Sequence, residues 1–269
     1  MSVRKRRRLK KPVVYLLIIL LIIFLYLLFF NKPKSTNETI YPEETATAIL
    51  ASPTPTIEVT PTPTPTYNPE EDERFFDLDS YLIVANKKHA LPIDYEPSDL
   101  LTPNVEMRYN TWQLREKAAL ALEEMFNAAE SDGIHLICGS GYRSPDFQKI
   151  LYDSYVEKYG QEGADTISSR PGYSDHQTGL ATDICATNQE TDLNESFENT
   201  AEGKWLKDNA HKYGYIMRYP KGKEDITGYS YEPWHFRYIG IEEATAIYEK
   251  GEFYSFEEYY GISGGDYDN

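Results

Sequence analysis

Two segments of the sequence, about fifty residues apart, contain the side chains best suited to catalysis. The first, SSRPGYSDHQTGLATDI at 168–184, contains His176 and Asp183, and the second, YEPWHFR at 231–237, contains His235. Two imidazoles and one carboxylate, with a fourth position left for water, are the ligands of a catalytic zinc site. The three residues are therefore a candidate zinc site, although this spacing is less compact than His-Glu-x-x-His.

Asp183 and His235 both lie in apolar stretches that are predicted as strands. A carboxylate in such a stretch is costly to desolvate unless a cation or a hydrogen-bond donor contacts it. Structural roles are the alternative, because a lone buried histidine is usually a hydrogen-bonded core residue and a lone strand aspartate often caps a turn or pairs with arginine.

The elements that must position these residues follow from the apolar spacing, the caps and the glycine stops. Helices are predicted at 113–131, 145–159, 201–213 and 241–250, and strands at 134–138, 180–186, 215–219 and 234–238. Ser144 is the predicted N-cap of the second helix. The elements form no strict βαβ repeat and no glycine-rich phosphate loop is present, so we predict an α+β fold with a mainly antiparallel sheet flanked by helices.

The N-terminal region has the composition of a membrane anchor. Residues 13–30, VVYLLIILLIIFLYLLFF, are 18 consecutive apolar residues, and a helix of about 27 Å nearly crosses the ~30 Å hydrocarbon core of a bilayer. A cleaved signal peptide is the alternative, but bulky phenylalanines end the run and no small-residue cleavage motif follows. Residues 1–12 contain seven Lys or Arg and are expected to stay in the cytoplasm, which predicts a single-pass protein with an extracellular domain.

The remaining chain divides by composition into a stalk, a folded domain and a tail. Residues 31–74 are rich in Pro and Thr and are predicted as an extended stalk without a core. The folded domain is predicted at 75–262 and a short tail at 263–269. After the first 34 residues the chain has 18 basic and 43 acidic residues, a balance that would repel a phosphate backbone and disfavours a nucleic-acid binder.

The two cysteines, Cys138 and Cys185, lie on predicted strands. An extracellular compartment permits a disulfide between them, but two buried thiols are the favoured state. The remaining histidines, His89, His135 and His211, lack neighbours typical of a metal site and are interpreted as structural.

Three segments resemble the signatures of the VanY-type zinc D-alanyl-D-alanine carboxypeptidases, in the same order and with similar spacing. They are SGYRS at 140–144, SDHQTGLATD at 174–183 and EPWHF at 232–236, and LIVANKKHALPIDY at 82–95 is similar to the entry segment of that family. The family belongs to a wider group of metal-dependent peptidoglycan peptidases that includes the VanX dipeptidases and the L,D-carboxypeptidases of Gram-positive bacteria. One departure is Asp175, where many relatives have Glu.

The resemblance implies a hedgehog/D,D-peptidase-like fold, a zinc ion on the three candidate ligands and Glu232 as the catalytic carboxylate. Glu232 would take the proton of the attacking water and pass it to the leaving amine. Arg143 would lie in the substrate site, where it either stabilises the oxyanion or binds the terminal carboxylate of the substrate. Ser140, Gln148 and Ser174 resemble family positions near the peptide substrate.

The predicted function is a Gram-positive-type surface zinc carboxypeptidase that removes the terminal D-alanine from peptidoglycan stem peptides, with a monomeric catalytic domain. The bond cleaved, at the D-Ala-D-Ala end of pentapeptides or the next bond in tetrapeptides, stays open. A non-catalytic zinc-containing peptidoglycan-binding module is the alternative, and Glu232 distinguishes the two because a binder has no use for that carboxylate. A sensor is disfavoured by the short cytoplasmic tail. A serine peptidase is excluded because the one Ser-x-x-Lys match, Ser2 with Lys5, lies in that tail.

Overall fold

The structure, a computed structural model, describes residues 67–251 and 254–268. The predicted cytoplasmic tail at 1–12, the anchor at 13–30 and most of the stalk at 31–74 lie outside the described residues. Among the residues that are described, no helix has the length and apolar character needed to cross a membrane.

The described residues contain six short strands and six α-helices, joined by loops and single 3-10 turns. The strands are β1 (Leu100–Leu101), β2 (Leu114–Arg115), β3 (Ile137–Cys138), β4 (Ala181–Cys185), β5 (Tyr215–Met217) and β6 (His235–Tyr238). The helices are α1 (Glu116–Ser131), α2 (Pro145–Ile167), α3 (Ala201–Asn209), α4 (Glu224–Thr227), α5 (Ile241–Lys250) and α6 (Phe256–Tyr260).

A four-stranded antiparallel sheet, in the order β3-β4-β6-β5, is the centre of the domain. Strands β1 and β2 form a separate antiparallel pair. In the central register Asp183 lies directly opposite His235, and side chains at such paired positions are neighbours on the same face of the sheet. The predicted α+β class with a mainly antiparallel sheet is confirmed.

The two faces of this sheet have different surroundings. Ile184, Tyr215 and Phe236 belong to the main hydrophobic core, which they share with the buried face of α1: Ala118, Ala119, Leu122, Met125, Phe126 and Ala129. Because side chains alternate along a strand, Asp183 and His235 point away from this core. One face of the sheet therefore supports the fold, and the other carries the polar site.

The same alternation separates the two cysteines. Cys138 pairs with Ile184 and belongs to the core with it, whereas Cys185 is the next residue and faces the other side. A β-carbon added to Gly139 would lie 2.6 Å from the Cys185 sulfur, which therefore fills the space above that glycine. Both cysteines are buried and free, and their positions on opposite faces exclude a disulfide between them.

The predicted strands are all present but shorter. Helix α1 begins at Glu116 and not at residue 113, because Leu114–Arg115 form strand β2. The helix predicted at 145–159 is interrupted at Gly160, whose φ of 74° and ψ of 169° are non-helical, and a second helical segment then runs on to Ile167 within α2. The predicted helix at 201–213 changes to a 3-10 turn after Asn209. Strands β1 and β2 and helices α4 and α6 are not predicted from the sequence.

The domain also extends past the predicted limits at 75 and 262. Pro69–Glu71 is a 3-10 turn, and the Glu70 carboxylate accepts a hydrogen bond from the Ser263 backbone at 2.8 Å. The Tyr267 hydroxyl accepts a hydrogen bond from the Arg170 backbone at 2.8 Å. Residues predicted as the end of the stalk and as a tail are thus packed on the domain.

Candidate metal and catalytic site

His176, Asp183 and His235 come together on the polar face of the sheet. One ligand atom from each residue lies within 4.8 Å of the others, and all three side chains are buried. Asp183 and His235 meet through the pairing of β4 with β6, and His176 comes from a 3-10 turn, Asp175–Thr178, just before β4. The structure thus places the predicted ligands in one cluster, although they come from distant parts of the sequence.

The turn that carries His176 depends on a glycine. Gly179 ends it with a φ of 68°, a left-handed conformation that a β-carbon disfavours. An added β-carbon would also lie 3.1 Å from the side chains of Arg115, Leu100 and Pro97. The chain can therefore reverse from the turn into β4 in the small space beside the β1–β2 pair.

Hydrogen bonds select which nitrogen of each imidazole faces the cluster. His176 Nδ1 lies 2.9 Å from the Gly141 carbonyl oxygen, which can only accept, so Nδ1 carries the proton and Nε2 faces Asp183 at 3.6 Å. His235 Nε2 lies 3.2 Å from an Asp175 carboxylate oxygen, and its Nδ1 lies 3.4 Å from Asp183 Oδ1. A carbonyl or carboxylate behind a histidine in this way is typical of metal ligands.

The two oxygens of Asp183 have different partners. Oδ2 accepts hydrogen bonds from Ser140 Oγ at 2.6 Å and from Arg143 Nη2 at 2.7 Å. Oδ1 is buried without a hydrogen-bond partner, which is unusual for a carboxylate oxygen in a protein interior. A divalent cation beside Oδ1 would satisfy it, and two imidazole nitrogens with one carboxylate are a donor set that suits zinc.

The charges around the two histidines differ. Burial, followed by the nearby Arg143 guanidinium, lowers the pKa of His176 to about 4, so this imidazole is neutral at pH 7. Burial also opposes the charge of His235, but the carboxylates of Asp175, Asp183 and Glu232 raise the pKa of His235 well above its usual value. A metal ion bound at His235 Nδ1 would have to displace a proton.

Asp175, the residue at which the sequence departs from many relatives, contacts His235 on the side away from Asp183. One oxygen of its buried carboxylate contacts His235 Nε2, and the other accepts a hydrogen bond from Arg237. Arg218 Nε lies 3.9 Å from Asp175, and the other nitrogens of Arg218 donate to Glu257 at 2.8 and 2.6 Å. We call Asp175, Arg218, Arg237 and Glu257 the buried ion cluster. Through Asp175 it holds His235 Nε2, the ring nitrogen that faces away from Asp183.

Glu232 lies beside the proposed ligands and contacts the cavity. Its backbone carbonyl accepts a hydrogen bond from the His235 backbone, which closes a turn with Pro233 at its second position. This turn brings Glu232 Oε2 to 3.4 Å from His235 Nδ1. Burial raises the pKa of the Glu232 carboxyl, and 15% of its side chain stays accessible. A carboxylate with these properties can exchange protons with a bound substrate.

The four predicted substrate residues, Arg143, Ser140, Gln148 and Ser174, all line the same cavity. Ser140 is engaged by Asp183, because its hydroxyl also accepts the Asp183 backbone N–H at 2.9 Å. Gln148 donates to Ser168 Oγ and to the Ser169 carbonyl, and its Oε1 is buried without a partner. Ser174 is buried just before the turn that carries His176.

The cavity has a volume of about 570 Å³, which lies within the usual range for a ligand-binding site. Its inner end contains the three predicted ligands and Glu232. Its outer part is lined by aromatic and aliphatic side chains: Tyr109, Trp112, Phe147, Leu151, Tyr155 and Leu193. The remaining histidines, His89, His135 and His211, do not line it.

Comparisons with known proteins agree with this geometry. The VanY family profile, described as D-alanyl-D-alanine carboxypeptidase, matches residues 111–241. The protein YodJ of Bacillus subtilis (strain 168) is 47% identical over 186 residues, which are 68% of this chain and 67% of that protein.

Solved structures of two peptidases are also similar to this chain. The LdcB LD-carboxypeptidase, whose structure was described for its peptidoglycan recognition, has a TM-score of 0.64 and 45% identity, over 70% of this chain and 89% of that chain. The vancomycin resistance D,D-pentapeptidase VanY in complex with Zn(II) has a TM-score of 0.55 and 36% identity, over 66% of this chain and 98% of that chain.

Proposed function

The chain belongs to the VanY family of D-alanyl-D-alanine carboxypeptidases, and we propose that it is a zinc-dependent carboxypeptidase that removes the terminal D-alanine from peptidoglycan stem peptides. The observation that carries this proposal is the position of Glu232, 3.4 Å from a predicted ligand and open to the cavity. A module that only binds peptidoglycan would gain nothing from a half-buried carboxylate at that point.

The residues that would hold zinc are His176 through Nε2, Asp183 through Oδ1 and His235 through Nδ1. When bound, zinc supplies a Lewis acid that polarises the scissile carbonyl and lowers the pKa of a water molecule from about 15.7 towards ~7. The orphaned Asp183 oxygen and the two oriented imidazoles support this assignment. The VanY structure with Zn(II) shows that a similar chain binds this metal.

Glu232 carries out the proton transfers in the proposed reaction. Its Oε2 accepts a proton from the attacking water as the new C–O bond forms, and it delivers that proton to the amine nitrogen as the C–N bond breaks. The raised pKa of Glu232 suits the first step, because a more basic carboxylate accepts the proton of the attacking water more readily. The protonated carboxyl then holds that proton for the leaving amine.

Arg143 orients the substrate in this proposal. One of its nitrogens is held by Asp183 at 2.7 Å, which fixes the guanidinium at the inner end of the cavity. The other N–H groups of a guanidinium can bind the terminal carboxylate of a peptide or the oxygen that becomes negative during attack. Ligands, Glu232 and Arg143 all come from one chain, so a monomeric catalytic domain is sufficient.

We also propose that residues 13–30 anchor the protein in the cell membrane with residues 1–12 in the cytoplasm. The support is the apolar run and the preceding basic cluster. The catalytic domain would then lie outside the membrane, on the side of the cell wall. Protease added to intact cells should remove the domain and leave a small membrane-bound fragment; a protected domain would contradict this topology.

The activity is tested with the full-length protein in detergent and synthetic tetrapeptides and pentapeptides. Both are included because the similar structures comprise an L,D-carboxypeptidase and a D,D-pentapeptidase. We expect free D-alanine from at least one peptide, with loss of release after chelation and recovery with zinc. Peptides that stay intact in the presence of zinc while binding to the protein would instead support a binding module.

A further inference from the structure

The outer part of the cavity contains two residues with an unusual backbone conformation. Tyr109 has a φ of 72° and Leu193 a φ of 51°; across 67–251 and 254–268 they are the non-glycine residues with positive φ. Both line the cavity, although they come from different loops. Side chains with a β-carbon disfavour this region, and residues held in it cluster at functional sites.

A single carboxylate joins the two loops. Asp192 immediately precedes Leu193, and its side chain is only 4% exposed. One of its oxygens accepts hydrogen bonds from Arg108 Nη1 at 2.5 Å and from the Tyr109 hydroxyl at 2.6 Å. We call this arrangement the Asp192 clasp; it connects segments that are more than eighty residues apart in the sequence.

Further hydrogen bonds hold the backbone on both sides of the clasp. The Asn110 N–H donates to the Arg108 carbonyl at 2.9 Å and closes a tight turn around Tyr109. The side-chain amide of Asn194 donates to the Asp192 carbonyl at 3.1 Å, across Leu193. The unfavourable conformations are therefore enforced by their surroundings.

Packing in the hydrophobic core does not explain why large side chains occupy these two strained backbone positions. Tyr109 is 59% exposed and Leu193 is 46% exposed, so neither gains much from burial in the fold. Glycine would adopt both backbone conformations without strain. A large side chain on a strained backbone, directed into a substrate cavity, is explained by contact with a ligand.

The chemistry of this part of the cavity indicates which part of a peptide it binds. Trp112 and Phe147 pack edge to face, with ring centroids 6.3 Å apart, and continue the wall beside Tyr109. The inner end, in contrast, holds the predicted ligands and the charged Arg143 and Glu232. The scissile bond and the terminal carboxylate therefore fit the inner end, and apolar portions of the preceding residues fit the aromatic and aliphatic part of the outer wall. Asn194 and Glu195, which follow Leu193, also line the cavity and can contact polar groups of the peptide.

We propose that Tyr109 and Leu193 form an outer subsite that binds the peptide on the N-terminal side of the scissile bond, and that Asp192 is a positioning residue that holds this subsite. The inference rests on the proposed function for the orientation of the peptide. Tyr109 and Leu193 then determine specificity for substrate length.

The test measures binding rather than turnover, in full-length protein with Glu232→Gln, zinc and detergent. The dissociation constants of a pentapeptide and of an acetylated D-Ala-D-Ala dipeptide are measured by calorimetry. We expect Tyr109→Ala and Leu193→Ala each to raise the dissociation constant of the pentapeptide by about tenfold more than that of the dipeptide. This is the usual effect of lost apolar contacts. Ile241→Ala is the matched control, because Ile241 is exposed but lies outside the cavity.

Three further variants test the backbone strain at Leu193 and the role of the Asp192 clasp separately from the side-chain contact. Leu193→Gly should change the ratio of the two dissociation constants as much as Leu193→Ala does. Its melting temperature should be higher than that of Leu193→Ala, since glycine relieves the backbone strain. Asp192→Ala should also lose length preference, and Asp192→Asn should restore most of it because an amide oxygen still accepts from Tyr109.

An unchanged ratio of the two dissociation constants in both alanine variants, Tyr109→Ala and Leu193→Ala, overturns the outer subsite. The proposed enzymatic function is tested by a different result, the release of D-alanine, so the two proposals can fail independently. If the protein with Glu232 intact releases no D-alanine but the ratio still depends on Leu193, the subsite stands and the enzymatic function fails.

Discussion

The two carboxylate oxygens of Asp183 have different roles: Oδ2 is held by neighbouring side chains, and Oδ1 is the proposed metal ligand. Ser140 and Arg143 hold Oδ2, while Oδ1 has no hydrogen-bond partner and lies 3.4 Å from His235 Nδ1. Burial opposes the charge of this carboxyl, but His176, His235 and Arg143 keep its pKa well below the usual value. The proposed ligand is therefore ionised and oriented before a metal ion arrives, and its supporting serine is as important as its position on β4.

Replacing Ser140 tests this division. In Ser140→Ala both hydrogen bonds to Asp183 are lost, and the zinc dissociation constant should rise by about 10- to 100-fold, as for other groups that orient metal ligands. Zinc affinity is measured by competition with a chromogenic chelator. Ser144→Ala is the control, because it removes only the cap of α2; equal zinc affinity in Ser140→Ala and the wild type would contradict the role of Ser140.

The two imidazoles also predict how zinc affinity depends on pH. The pKa of His235 is raised by its carboxylate neighbours, so a proton occupies Nδ1 at neutral pH in the metal-free protein. Zinc binding must release that proton, and affinity should therefore fall as the pH falls from about 8 to about 5. His176, with a pKa of about 4, adds a further loss only near pH 4.

Calorimetry in buffers with different ionisation enthalpies measures the released protons directly. We expect about one proton per zinc at pH 7. A constant affinity across this pH range, with no proton release, would show that His235 does not bind the metal through Nδ1.

At the scale of elements, some helices, strands and turns around the site are predicted well by the sequence and others are not. Helix α5 has its predicted limits, because its apolar spacing ends at a glycine. The 3-10 turn that carries His176 and the two-residue strands β1 and β2 are too short for any periodicity to indicate them. Gly160 interrupts the helix where the sequence predicts its end, but sequence alone does not show that a second helical segment follows the glycine.

The residues of the buried ion cluster show a second limit on what can be predicted from the sequence. Arg237 could have been noticed, since it shares a strand face with His235 two residues away. Glu257 could not, because α6 is a single short helix far along the chain and its contact with Arg218 is purely tertiary. Motif residues of the site were predictable because they lie within short segments, and their supporting charges were not.

Helix α6 is therefore predicted to stabilise the site from behind. Glu257→Gln leaves the buried Arg218 without its charged partner, and the loss of one member of a buried pair costs about 3 kcal/mol or more. Urea unfolding measures the change in the free energy of unfolding. Glu258→Gln is the matched control, because that neighbour pairs with Lys223 near the surface and glutamine keeps its capping contact, so its loss should stay below about 1 kcal/mol.

Equal losses in Glu257→Gln and Glu258→Gln would contradict the importance of the buried ion cluster. A selective loss in Glu257→Gln, with zinc affinity reduced as well, would show that the cluster both stabilises the domain and positions His235.

At the scale of the whole molecule, one face of a small antiparallel sheet holds the fold together and the other carries the chemistry. The cavity above the polar face runs from the proposed metal ligands to the Asp192 clasp, so a peptide can be held at both ends. The predicted anchor and stalk lie outside the described residues; by composition they would hold this acidic domain at a distance from the membrane. These features support the proposed role of the protein in cleaving peptidoglycan stem peptides outside the membrane.

The central claim is that zinc is held by the three ligands and that Glu232 moves the protons. The most direct measurement is zinc per protein together with D-alanine release, in the full-length wild type, His176→Ala and Glu232→Gln. The wild type should contain one zinc and release D-alanine, His176→Ala should lose both, and Glu232→Gln should keep its zinc while turnover falls by about a hundredfold or more. Equal zinc content in His176→Ala, or undiminished turnover in Glu232→Gln, would contradict the account.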